Sequence, residues 1–199
     1  MQRRNMLQFA AAACVASSTL RAQDAGAMGG MRAQPAAKQP ADPEPQVNDI
    51  EKYAKCKYCG MDRRQFHHSR MLIQYSDGTV EGLCSLRCAA TSLTINLGRG
   101  TTAIWVGDNA SAADVKPLTD AEKANFLVGS SLRGVMTRRS KVAYSTAESA
   151  EASRNTNGGE IFDFDKALLA AFTDIAESVT MSRKTREERL KRAQQKPDQ

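Results

Sequence analysis

A chain of 199 residues with 41% hydrophobic content has room for one domain or two small ones. Its formal net charge of +6 suggests nucleic acid as a partner, but the excess lies at the ends: Arg3, Arg4 and Arg21 at the start, and seven basic against three acidic residues from Ser182 onward. Setting both ends aside leaves about −1, which excludes a basic nucleic-acid-binding globule and makes the tail a solvated helical face.

Residues 1–22 read as a removable export signal: a basic start, an apolar run from Phe9 to Val15, then small and polar residues up to Ala22. The run falls far short of the roughly 20 residues a bilayer-spanning helix needs. Arg3-Arg4-Asn5-Met6-Leu7 is twin-arginine-like, a signal that exports folded or cofactor-loaded cargo to the periplasm. The rival reading takes Ala11-Ala12-Ala13-Cys14 as a lipoprotein box with Cys14 acylated, the one route by which a membrane would become a partner. Residues 23–50, rich in Ala, Pro, Gly and Gln, read as a flexible, disordered linker.

The first half, 51–115, reads strand, strand, helix, strand. Met71-Leu72-Ile73-Gln74-Tyr75 and Thr79-Val80-Glu81-Gly82-Leu83 flank Asp77-Gly78, a hairpin signal because Gly accepts the positive φ of the turn. Ser85 caps a predicted helix with apolar Leu86, Ala89, Ala90, Leu93 and Leu97, ended by Gly98. Thr102 to Val106 returns as a strand. The second half, 116–181, repeats the order: strands at Phe126-Leu127-Val128 and Val142-Ala143-Tyr144, a Ser145/Glu148 capping box opening a helix that stops at Gly158-Gly159, and a strand at Ile161 to Phe164. A last helix begins near Asp165, with Leu168, Leu169, Phe172, Ile175 and Val179 as its buried stripe, and 182–199 is a charged tail that continues its pattern. Neither half can bury a full core alone. The prediction is an α+β protein of two similar ββαβ halves packed together, with a C-terminal helix.

With the signal removed, the cysteines are Cys56, Cys59, Cys84 and Cys88, all within 33 positions. Cys56-Lys57-Tyr58-Cys59-Gly60-Met61 holds a C-x-x-C, and Gly60 lets the chain turn so that Cys59 and Met61 converge. Thiolate and thioether are soft ligands that select Cu(I) over hard cations, and Met61 favours copper over zinc. Cys84 and Cys88, at i and i+4 where the predicted helix starts, can face one way, and a helix N-terminus favours the thiolate. Other readings stand beside this one. Four cysteines in an exported protein can form two disulfides in three pairings, giving a disulfide-stabilised interaction module without metal. Four thiolates can bind zinc. Thiol–disulfide exchange is disfavoured because no helix or βαβ context follows the C-x-x-C, so the chain reads as non-enzymatic. His67 and His68, the only histidines, are candidate ligands that sequence cannot tell apart. Met136 by itself reads as a packing residue.

The order of these motifs is similar to the nitrous-oxide reductase accessory protein family (NosL), exported copper chaperones. The resemblance rests on Cys59-Gly60-Met61, Ile73-Gln74-Tyr75-Ser76-Asp77-Gly78, Ile104-Trp105-Val106, Asp120 to Ala124, Phe126-Leu127-Val128-Gly129-Ser130-Ser131 and Gly158-Gly159, spanning roughly 53 to 170. It implies two similar ββαβ halves, Cu(I) binding, and delivery to a periplasmic copper enzyme or its assembly machinery. Cys59 and Met61 match the family motif. Met136 matches a methionine usually framed by Pro and Gly, a further ligand, and stands here as Val135-Met136-Thr137. Typical members lack the Cys84/Cys88 pair.

Overall fold

A computed structural model describes residues 41–195, so the export signal, Cys14, most of the expected linker and the last four residues lie outside the described residues. The linker's final stretch is ordered. A short helix α1 (Asp49–Lys52) buries Asp49 and Ile50, and the Asp42 carboxylate accepts from Lys52 Nζ and the Tyr53 hydroxyl. These ionic and polar anchors hold a segment whose composition alone offers little to bury.

The first sheet has the order β2-β1-β3-β4, all neighbours antiparallel. Strands β1 (Met71–Tyr75) and β2 (Val80–Leu83) form the expected hairpin, with Gly78 at φ +81. Helix α2 (Leu86–Ile95) crosses to β3 (Thr101–Gly107). The Ser85 side chain makes no capping bond; its Oγ faces the Cys84 thiol at 3.8 Å instead. Helix α2 also stops before Gly98. Asn96 turns its side-chain amide back onto the Ser92 carbonyl, a tight turn follows over Leu97–Arg99, and Leu97 is 80% exposed rather than buried. A strand the pattern did not suggest, β4 (Leu118–Asp120), completes this sheet by pairing with β3.

The second sheet, β6-β5-β7, repeats the order of the first three strands. Strands β5 (Asn125–Val128) and β6 (Lys141–Tyr144) pair antiparallel, helix α3 (Ala147–Asn157) crosses over, and β7 (Glu160–Phe162) pairs with β5. The α3 cap is Thr146, whose hydroxyl accepts from the Ser149 amide; Ser145 is held by its own amide bond to the Asp108 carboxylate. Strand β7 ends at Phe162 because Asp163 already caps α4 (Phe164–Gln194), accepting from the Lys166 amide.

One core joins both sheets. Met71, Ile73, Leu83, Ile104 and Val106 from the first meet Phe126, Val128 and Ala143 from the second, with α2 and α4 between. The odd parity of β5 serves a smaller cluster of Leu127, Val142, Tyr144 and Ala150 under α3. The buried stripe of α4 is Phe164 at its start, then Ala167, Ala170, Ala171 and Asp174, flanked by Leu168 and Ile175; Leu169, Phe172 and Val179, expected inside, are exposed. Small side chains let the helix approach α2 and β5 closely, so the larger residues are turned outward. From Val179 to residue 195 every residue is exposed, so the helix runs on past the body as the charged tail. Among the described residues no helix is long and apolar enough to cross a membrane.

Candidate metal centre

The segment before β1 folds into a knuckle. Lys55 and Asp62 pair as an antiparallel bridge, the Cys56 amide donates to the Met61 carbonyl (2.8 Å) and the Gly60 amide to the Cys56 carbonyl (2.9 Å). Gly60 sits at φ +71, a left-handed conformation that strains any residue with a Cβ, and this sharp return brings Cys56 and Cys59 together. The knuckle lies on β2, where the Lys57 amide donates to the Gly82 carbonyl. A Cβ at Gly82 would meet Tyr53 Cβ at 2.5 Å, so only glycine permits this docking.

Strand β2 ends directly before Cys84, and the first turn of α2 carries Cys88. The docked knuckle therefore faces the strand–helix junction, and all four Sγ atoms lie within 4.8 Å of one another. Cys59–Cys84 is 3.4 Å, Cys84–Cys88 3.7 Å and Cys88–Cys59 3.8 Å. With metal–sulfur bonds near 2.3 Å, a tetrahedron of thiolates has edges of about 3.8 Å. The donor set thus fits one soft ion. Cys56, Cys84 and Cys88 are buried and Cys59 is half-buried; all four are free thiols.

Electrostatics favour a cation here. The thiols of Cys84 and Cys88 act as donors that hold Cys56 well below the ordinary thiol range, and that same interaction raises both Cys84 and Cys88. Without an ion the cluster shares its protons, since closely packed thiolates repel; a bound metal removes that restriction.

Of the other residues singled out from sequence, Met61 places Sδ 4.0 Å from Cys84 Sγ. Met136 stands on the β5–β6 loop, 41% exposed, at φ +63; its carbonyl accepts from Arg87 Nη1, and its thioether is not among the sulfurs in contact with the four thiols. His67 and His68 lie away from the cluster, with His67 Nδ1 accepting from the Lys116 amide. A buried acid beside the knuckle, Glu81, was not singled out; its only sequence signal is a carboxylate inside a strand of otherwise apolar and glycine residues.

Two antiparallel sheets sharing one core, with four cysteines gathered at the first, define an α+β protein with a candidate soft-metal centre. The chain belongs to the NosL family: the family model matches residues 46–172. Among solved structures it is similar to the copper chaperone NosL from Shewanella denitrificans, at 25% identity and a TM-score of 0.47, over 66% of this chain and 96% of that one. It is also similar to apo-NosL from Achromobacter cycloclastes, at 22% identity and a TM-score of 0.35, over 48% of this chain and 82% of that one. No curated protein matches.

Proposed function

We propose that this protein is an exported Cu(I) carrier that holds the ion at Cys56, Cys59, Cys84 and Cys88 and hands it to a periplasmic copper enzyme or its assembly machinery. The observation that carries this reading is the convergence of four free thiols within 4.8 Å, with the Met61 thioether beside them. Family membership and the Cys59-Gly60-Met61 motif favour copper, and thiolate with thioether is a soft donor set that suits Cu(I). The basic, apolar, small-residue pattern of residues 1–22 supports export. A carrier needs a closed but reachable site rather than a substrate cleft, and Cys59 alone among the four is not buried.

A second reading, a zinc-binding centre, is favoured by the sulfur separations themselves, which match a tetrahedral edge. Anaerobic titration of reduced protein decides between them. The carrier reading expects one tight Cu(I) equivalent that outcompetes Zn(II) and is lost in Cys59→Ser. Unchanged Cu(I) affinity in that variant, or a preference for Zn(II), sinks it.

A further inference from the structure

The four cysteines ride on three separate pieces of chain: the knuckle, the end of β2 and the start of α2. One buried carboxylate touches all three. Glu81, on β2 and 2% exposed, accepts at Oε1 from Lys57 Nζ (2.8 Å) and at Oε2 from the Tyr58 hydroxyl (2.8 Å) and Ser92 Oγ (2.6 Å). Lys57 and Tyr58 are the two residues between Cys56 and Cys59. Ser92 lies one helical turn beyond Cys88, and Glu81 itself is three residues before Cys84.

The donors around it are ordered in turn. Ser92 gives its only hydroxyl proton to Glu81, so Tyr75 must donate to Ser92 (2.5 Å). With one Asn96 Nδ2 proton on the Ser92 carbonyl, the other is shared between the Tyr58 and Tyr75 hydroxyls at 3.3 Å each, and Arg99 adds positive charge 3.6 Å from Oε1. A carboxylate removed from water is tolerated only when its bonds are made, so this one favours the single arrangement in which knuckle, strand and helix are docked together. The knuckle's other bond to β2 is one main-chain bond, from the Lys57 amide to the Gly82 carbonyl, and Arg63, directly after the knuckle, donates from Nε to the Leu83 carbonyl. Both reach backbone carbonyls that a slightly shifted docking could still offer, whereas the Glu81 bonds are specific to the Lys57 and Tyr58 side chains.

We propose that Glu81 is the positioning residue of the thiol centre, setting the Cys56/Cys59 pair against the Cys84/Cys88 pair through Lys57, Tyr58 and Ser92. This rests on the reading that those cysteines hold a metal, and the test separates the two.

Reduced full-length protein is titrated with Co(II), whose visible bands report thiolate number and tetrahedral geometry, followed by competition with Cu(I). Glu81→Gln, checked for folding by circular dichroism, is expected to lower Co(II) affinity by about 10- to 100-fold and to change the band envelope of the folded protein. Tyr58→Phe and Lys57→Met should each give part of that loss and add little on top of Glu81→Gln, because they act through the same carboxylate. Asp174→Asn, in the ion cluster under α4, should lower thermal stability and leave the Co(II) spectrum unchanged. Glu81→Gln with parental affinity and spectrum overturns the positioning role, as does an equal spectral change in Asp174→Asn. If Glu81→Gln does not fold, Tyr58→Phe together with Lys57→Met decides, and parental Co(II) binding in that pair overturns the role. A parent that takes up neither Co(II) nor Cu(I) overturns the carrier reading, and the positioning role with it.

Discussion

The two halves have the same strand order and different chemistry. Strand β2 ends at Leu83 and α2 starts three residues later; β6 ends at Tyr144 and α3 starts three residues later. Counting from the strand end puts Ser145 opposite Cys84 and Ser149 opposite Cys88, hydroxyl for thiol at both positions. In the same register Glu81 corresponds to Val142, and both are buried. The first crossover helix buries Leu86, Cys88, Ala89, Ala90 and Ser92 against the shared core, while α3 buries Ala150 alone. A ββαβ frame therefore does not make the centre. Sulfur at the strand–helix junction, a knuckle facing it and a buried acid beneath it appear in one half only.

The sharpest way to break this contrast is to give the first junction the chemistry of the second. Replacing an outer partner of a metal ligand costs roughly 10- to 100-fold, so removing two of the four proposed ligands in Cys84→Ser with Cys88→Ser should cost more than about 100-fold in Cu(I) affinity, measured by competition with a chromogenic chelator. Retained affinity would show that the knuckle suffices.

Next, read in unfolding rather than in metal affinity, come the buried acids that lock each half. Asp49→Ala strands Arg63, which has no exposure, and Arg70 without a counter-charge, and should cost about 3–5 kcal/mol in urea unfolding. Asp174→Ala should cost less. Of its partners, Arg139 is half in water, and Lys141, unlike arginine, can shed its proton, having a pKa already lowered by burial. A larger loss for Asp174→Ala would reverse the ranking.

The smallest effect is the acid response that Val142 cannot have. Burial pushes the Glu81 carboxyl up, but bonds from Lys57, Ser92 and Tyr58 outweigh it and hold it below its ordinary 4.5. A depressed acid contributes stability that is full above 4.5 and is lost as pH falls through its folded value. Metal-free protein should therefore lose stability more steeply below pH 4.5 than Glu81→Gln does, in denaturation series across that range. Parallel curves would remove the charge from the account.

Much of this was legible in the residues. The period-two runs around Asp77-Gly78, the repeated element order and the two cysteine spacings announce the strands, the duplication and the soft donors. The meeting of the two pairs was not legible, because it depends on Gly82 admitting Tyr53 and on the knuckle docking across 25 positions of sequence. Helix α4 misled in an instructive way. Large apolar residues outlined one stripe, yet close packing on α2 selected the alanine stripe beside it. Strand β4 carries no strand signature and exists because β3 offers an unpaired edge. Glu81 escaped because an acid in a strand ordinarily points to water.

The half-buried position of Cys59 carries a kinetic consequence. An ion enclosed by four sulfurs, three of them sealed in the core, has one corner at which an incoming ligand can attack. Exchange would then be associative and one-sided, its rate rising with the concentration of the attacking thiol or thioether. Spontaneous loss, which requires several buried bonds to open together, would be slow. Loaded as proposed, such a centre would be tight toward solvent and quick toward a partner that reaches that corner.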